Sequence, residues 1–140
     1  MKLKIFYISF FIIILDQLTK VYFKSESYNF GILSLHFVKN YGAGFGILQG
    51  QKILLIAISI FAIALILYYL KGIKKEDVLF YGLTFLLAGA IGNLIDRLFL
   101  SYVIDFIDLK FFPAVFNVAD VSNTMGALLI FISLFKKRGS

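Results

Sequence analysis

Apolar residues run almost unbroken through four stretches of the chain, residues 5–23, 53–70, 78–97 and 116–135, with polar residues gathered between them. At about 1.5 Å of rise per residue, each stretch is long enough to cross a hydrocarbon core of roughly 30 Å as an α-helix. The first stretch follows Lys2 and Lys4 as a secretory signal would. No small-residue cleavage site follows it and Asp16 interrupts it, so it reads as a retained helix. The two longer connections are residues 24–52 and 98–115. The first is too long for a structureless loop, and the latter half of its segment 30–38 alternates apolar and polar positions as a strand does. The pattern predicts an all-α membrane protein of four transmembrane helices in a single domain, residues 1–140, with a small β-containing segment outside the membrane.

Composition agrees. With 61% hydrophobic residues, 16% charged residues and one proline in 140 positions, the chain has no means of covering itself as a soluble domain. Without cysteine it has no disulfide, thiol nucleophile or thiolate metal site. The net charge of +6 matters through its distribution. Lys2 and Lys4, then Lys71, Lys74 and Lys75, then Lys136, Lys137 and Arg138 hold eight of the fourteen basic residues in three short stretches. The positive-inside rule makes these stretches cytoplasmic, so both termini lie inside and the two longer connections lie outside. No basic patch suggests nucleic acid.

That threading brings four of the eight carboxylates, Asp16, Asp96, Asp105 and Asp120, to the outer face. An Asp at a helix centre costs on the order of 2.5 to 3.5 kcal/mol, so something must offset Asp16, Asp96 and Asp120. Ion pairs within the bundle would do so for two of them: Asp16 with Lys20 one turn on, and Asp96 with Arg97 or Asn93. Asp105 and Asp120 have no Lys or Arg within four residues and sit among apolar neighbours. Two carboxyls brought together in such surroundings share a proton, because desolvation and mutual repulsion both oppose full ionisation. That is the chemistry of an aspartic protease, in which one carboxylate activates water while its protonated partner polarises the scissile carbonyl, with no metal or cofactor.

The runs Asp16-Gln17-Leu18-Thr19-Lys20, Asn40-Tyr41-Gly42-Ala43-Gly44-Phe45-Gly46, Gly92-Asn93-Leu94-Ile95-Asp96-Arg97, Val103-Ile104-Asp105-Phe106 and Phe116-Asn117-Val118-Ala119-Asp120 occur in that order and resemble the blocks of the bacterial lipoprotein signal peptidases, signal peptidase II. The resemblance implies an aspartic endopeptidase of the bacterial cytoplasmic membrane. It would remove the signal peptide of a prolipoprotein by cutting before a cysteine that carries diacylglycerol, at the extracytoplasmic face. It also implies Asp105 and Asp120 as the catalytic dyad, and Asn40, Gly42, Asn93, Arg97 and Asn117 as substrate-binding positions. Asp16, Lys20 and Asp96 take a supporting role. The partners implied are the lipid-modified substrate and membrane lipid, with the enzyme a monomer. Arg97 has a second reading as an interface anchor that snorkels. Ala88, Gly89, Ala90 and Gly92 give the third helix a small-residue flank suited to helix packing or to a close-lying substrate. His36 takes no assigned role.

The chain departs from the family pattern at Gly44 and in the spacing of Phe112-Pro113-Ala114-Val115-Phe116-Asn117, which bears on the shape of the outer loop. Three other readings fit less of it. A proton-coupled exporter built on Asp16 would have no use for 29 residues in one outer segment or for two further acids at helix ends. A serine and lysine peptidase would rest on Lys24 beside Ser25, with nothing to bury or deprotonate the lysine. A purely structural protein would lose no proton-transfer function on replacing Asp105 with Asn.

Overall fold

The computed structural model describes residues 1–136. Four helices, α1 (Lys2–Tyr22), α2 (Lys52–Gly72), α3 (Val78–Phe99) and α4 (Val118–Lys136), are each long and apolar enough to cross a membrane. Lys137 and Arg138, on which part of the expected orientation rests, lie outside the described residues.

Helix α3 is the centre of the bundle. Helices α1, α2 and α4 pack on it, and α1 and α2 meet α3 rather than each other. Its Asp77 N-cap accepts a hydrogen bond from Phe80 N at 3.0 Å. The face it presents, Phe80, Leu83, Leu87 and Ala88, is buried, and with Leu70 of α2 it forms the apolar core at the end of the bundle where α1 begins. Small residues set how closely α4 approaches. A Cβ added at Gly89 would lie 2.4 Å from Ala119 O, and one at Gly82 would lie 3.0 Å from Gly126 O. The small-residue flank is therefore used for helix packing. The outward faces carry exposed apolar side chains such as Phe11, Leu18, Phe61 and Phe131. Between lipid tails these cost nothing, whereas in water they would form a single large sticky surface.

The connections carry more β structure than the pattern predicts. Strands β1 (Tyr28–Asn29), β2 (Leu33–Asn40), β3 (Val103–Leu109) and β4 (Val115–Phe116) form one antiparallel sheet in the order β1-β2-β3-β4. The label all-α is corrected accordingly, since the second connection supplies half the strands. Strand β3 escapes a period-two search because Val103, Ile104, Asp105 and Phe106 are all buried, with the sheet covered on both faces at that point. The register slips between Leu35 and Val38, and beyond it Val38 lies opposite Asp105 and Asn40 opposite Val103. Phe116, expected in the fourth helix, belongs to β4, and α4 begins two residues later.

Candidate active site

Two buried polar clusters lie where the sheet meets the bundle. The first is ionic. Lys20 Nζ, 1% exposed, sits 2.7 Å from Asp16 Oδ2 and 3.0 Å from Asp96 Oδ2, and donates to Asn93 Oδ1 at 3.1 Å. The expected Asp16–Lys20 pair is present. The expected partners of Asp96, Arg97 and Asn93, are not used; Asp96 takes Lys20 instead, along with Gln17 Nε2 at 3.0 Å and Ile104 N at 2.9 Å. Asp96 also lies a turn inside α3 rather than at its end. Asp16 Oδ1 accepts from Ala119 N at 2.8 Å, in the first turn of α4. Lone buried charges of this kind would be prohibitive, and pairing plus complete hydrogen bonding is what makes them tolerable. Gly92 leaves the space, since a Cβ there would come 2.8 Å from Asp16 Oδ2.

The second cluster holds the two remaining acids. Asn117 caps α4. Its Oδ1 accepts from Asp120 N at 2.9 Å, while Asp120 Oδ2 accepts from Asn117 N at 3.1 Å, the reciprocal pair of a capping box. The Nδ2 of this fully buried amide donates to Asp105 Oδ1 at 2.8 Å, Ile104 O at 3.1 Å and Asn93 Oδ1 at 3.1 Å. Asn93 Nδ2 donates to the other Asp120 oxygen at 2.8 Å. Lys20, a donor only, fixes which way the Asn93 amide faces and so sends its nitrogen to Asp120. Asn40 Nδ2 donates to Asp105 Oδ2 at 3.0 Å, and its orientation is set in turn by Gly42 N donating to Asn40 Oδ1 at 2.9 Å. Residues from β2, β3, α3 and α4 thus bring Asp105 and Asp120 to the same residue, Asn117, whose side-chain Nδ2 holds the first carboxyl and whose backbone N holds the second.

Burial, then the charge of Asp120, pushes the Asp105 carboxyl up to about 7 against the opposing pull of the Asn40 and Asn117 hydrogen bonds and of Lys20. Beside the pair opens a cavity of about 480 Å³, reached by Asp120, Asn93, Asn40 and Arg97 and walled by Phe45 and Phe112. A smaller one of about 180 Å³ touches Asp105 and Asn40 from the sheet side. The loop after β2 covers this region. A Cβ at Gly42 would lie 2.7 Å from Ile47 O, and Phe45, in the 3-10 turn Gly44–Gly46, is held at φ 58°, a left-handed conformation costly for an aromatic residue. Arg97 Nη2 donates to Gly42 O at 3.1 Å, while its Nε is buried without a partner. Among the described residues no three His, Cys, Asp or Glu side chains are grouped to hold a metal. His36 Nε2 lies 3.9 Å from Asp108, away from both clusters.

This geometry has close counterparts. The family model for signal peptidase (SPase) II matches residues 8–136. The chain belongs to the signal peptidase II family. It is 40% identical over 136 residues to a lipoprotein signal peptidase of Caldanaerobacter subterraneus, covering 90% of this chain and 92% of that one. It is 44% identical over 139 residues to a lipoprotein signal peptidase of Lactobacillus johnsonii, covering 91% and 88%. A bacterial membrane enzyme solved by the in meso method superposes with a TM-score of 0.86 at 32% identity, over 96% of this chain and 89% of that chain.

Of the ten site residues expected from the sequence, nine lie in the two clusters or on the loop that covers them, and Arg97 reaches that loop from α3. Two residues that the sequence reading passed over also belong there. Gln17 bridges Asp16, Asp96 and the Gly92 carbonyl. Asn123 lines the larger cavity a turn along α4 from Asp120. Each carries a signal, an amide side chain within three residues of an acid on a membrane-length helix.

Proposed function

We propose that this member of the signal peptidase II family is an intramembrane aspartic endopeptidase that removes the signal peptide of a prolipoprotein, cutting on the amino side of the diacylglyceryl-modified cysteine. The observation that carries the reading is that Asn117 holds both carboxyls at the edge of a cavity, Asp105 through its side-chain Nδ2 and Asp120 through its backbone N. Asp105 and Asp120 are the catalytic dyad. The ionised member takes a proton from a water while that water's oxygen attacks the scissile carbonyl, and the protonated member delivers its proton to the carbonyl oxygen. The tetrahedral intermediate collapses with cleavage of the C–N bond, and the proton taken from water passes to the amino group of the departing cysteine. No cofactor enters these steps.

Asn40, Gly42, Asn93, Arg97 and Asn117 bind substrate or hold the groups that do. The unpartnered Arg97 Nε is a donor for a substrate carbonyl, and Asn40 reaches both Asp105 and the covering loop. Asp16, Lys20 and Asp96 fix the helices on which the dyad stands. Lys2, Lys4, Lys71, Lys74 and Lys75 mark the end of the bundle away from the sheet as cytoplasmic, which puts the dyad at the extracytoplasmic face of a bacterial cytoplasmic membrane. The enzyme acts as a monomer of one domain on a substrate delivered from the lipid.

The test is cleavage of a diacylglyceryl-modified prolipoprotein by the purified protein in lipid or detergent, alongside Asp105→Asn and Asp120→Asn. Wild type should cut before the modified cysteine, and both folded variants should lose at least about 10²-fold in rate. Folded variants that cut as well as wild type would remove the dyad from the mechanism.

A further inference from the structure

Asn40, Asn93 and Asn117 are each held by hydrogen bonds, and Asn123 is not. It lies half-buried on α4, lines the larger cavity and makes no hydrogen bond among the described residues. At i+3 from Asp120 it faces the same side of the helix, about 4.5 Å further along the axis. Its amide is wedged against α3, where a Cβ on Gly89 would come 2.3 Å from Asn123 Oδ1. Around it the cavity is apolar, with Val121, Met125 and Phe112. The two flanking hydroxyls are already committed, Thr124 to Asp120 O at 2.9 Å and Ser122 to Phe85 O at 2.8 Å. The amide stands open to the cavity with no protein partner, free to bond what enters it.

A peptide bond can be cut only when its carbonyl is exposed to water and acid, so a substrate arriving as a membrane helix has to unwind ahead of the cleaved bond. Unwinding frees backbone N–H and C=O groups at a depth where no bulk water can take them, and each needs a protein partner. An asparagine offers a donor and an acceptor on one rigid group, matching the peptide unit. Building on the peptidase reading above, we propose that Asn123 is a substrate-binding residue whose side-chain amide takes the backbone of the unwound substrate segment just ahead of the cleaved bond.

The test uses the full chain in lipid with a diacylglyceryl-modified prolipoprotein and the variants Asn123→Leu and Asn123→Gln. Asn123→Leu keeps the branched shape of the side chain, with methyl groups in place of the amide. It should lower kcat/KM by roughly 5- to 100-fold, mostly through KM, with the melting temperature and the pH profile of cleavage kept. Asn123→Gln should recover part of the loss, and the loss should persist on a substrate whose glyceryl esters are replaced by ethers. A loss that vanishes with the ether lipid would assign the contact to the lipid ester and overturn the proposal. So would wild-type KM in Asn123→Leu, or a lowered melting temperature that Asn123→Gln does not rescue. If wild type itself fails to cut, the peptidase reading falls; if wild type cuts and Asn123→Leu matches it, only the role of Asn123 falls.

Discussion

Replacing Asp105 with Asn should stabilise the protein at alkaline pH. Asp105 is 2% exposed, and its burial beside Asp120 lifts it from 3.8 to about 7. In the unfolded chain the carboxyl titrates near 4, so between about pH 4 and 7 the native state binds more protons than the unfolded state. Stability is fully present below pH 4 and declines as the pH rises through 7. The shift, 7 less 3.8 or about 3 units, corresponds to at most about 4 kcal/mol lost at pH 8. Asn removes the charge and keeps the hydrogen bond from Asn117 Nδ2. It sets its own N–H₂ against Asn40 Nδ2, which cannot turn because Gly42 N holds Asn40 Oδ1. That lost bond returns about 1 to 2 kcal/mol. The net gain at pH 8 is therefore about 2 to 3 kcal/mol, or roughly 5 to 10 °C in melting temperature. At pH 5 the wild type has lost only about 1 to 2 kcal/mol through ionisation of the unfolded chain, which the bond missing from the variant cancels, so the two proteins should melt together. Thermal melts of both proteins in one detergent at the two pH values decide it. A variant no more stable than wild type at pH 8 would refute the idea that an ionised Asp105 strains the native state.

Cleavage by wild type should fall away as pH rises past about 7, because the dyad then loses the proton its acid must deliver; kcat/KM flat to pH 9 would count against Asp105 as that acid. Lys20→Met should cost about 3–5 kcal/mol by leaving Asp16 and Asp96 buried without their cation, measured as a fall in melting temperature or in yield of folded protein. Gly89→Ala should destabilise by at least about 1 to 3 kcal/mol, since the new methyl meets the Ala119 carbonyl, a backbone atom that cannot swing aside. An equally stable Gly89→Ala protein would mean that α3 and α4 do not pack so closely.

The four helices are legible because each is a long apolar run, and their ends were placed within a few residues. The fourth was begun too early because Phe116 extends the apolar run, although Asn117 with Asp120 three residues on is a capping pattern that marks the true start. Strand β2 showed partial alternation. Strand β3 showed none, because residues on both its faces are buried. The acids stood out through the cost of a charge among apolar neighbours, a property of local sequence. Their partners depend on which helices meet: Asp96 chose Lys20, 76 positions away, over the adjacent Arg97, a preference invisible without the fold. Gln17 and Asn123 are harder to read from sequence because an uncharged amide among neighbouring polar residues carries less cost in a membrane than a charge.

Asn117 belongs at once to the start of the last helix and to the pair of acids it joins, and Asp16 of the first helix is tied to that same helix end through Ala119. A ribosome delivers the chain in order, so β3 with Asp105 emerges well before α4 is complete. Until α4 inserts, Asp120 is not in place, Asn117 has no helix to cap, and Asp16 lacks its bond from Ala119. With the proposed dyad, proteolytic competence is withheld from every partly synthesised chain. A product cut short before its final span would be inert in the membrane, so that quality control faces a misassembled scaffold and never a half-built protease.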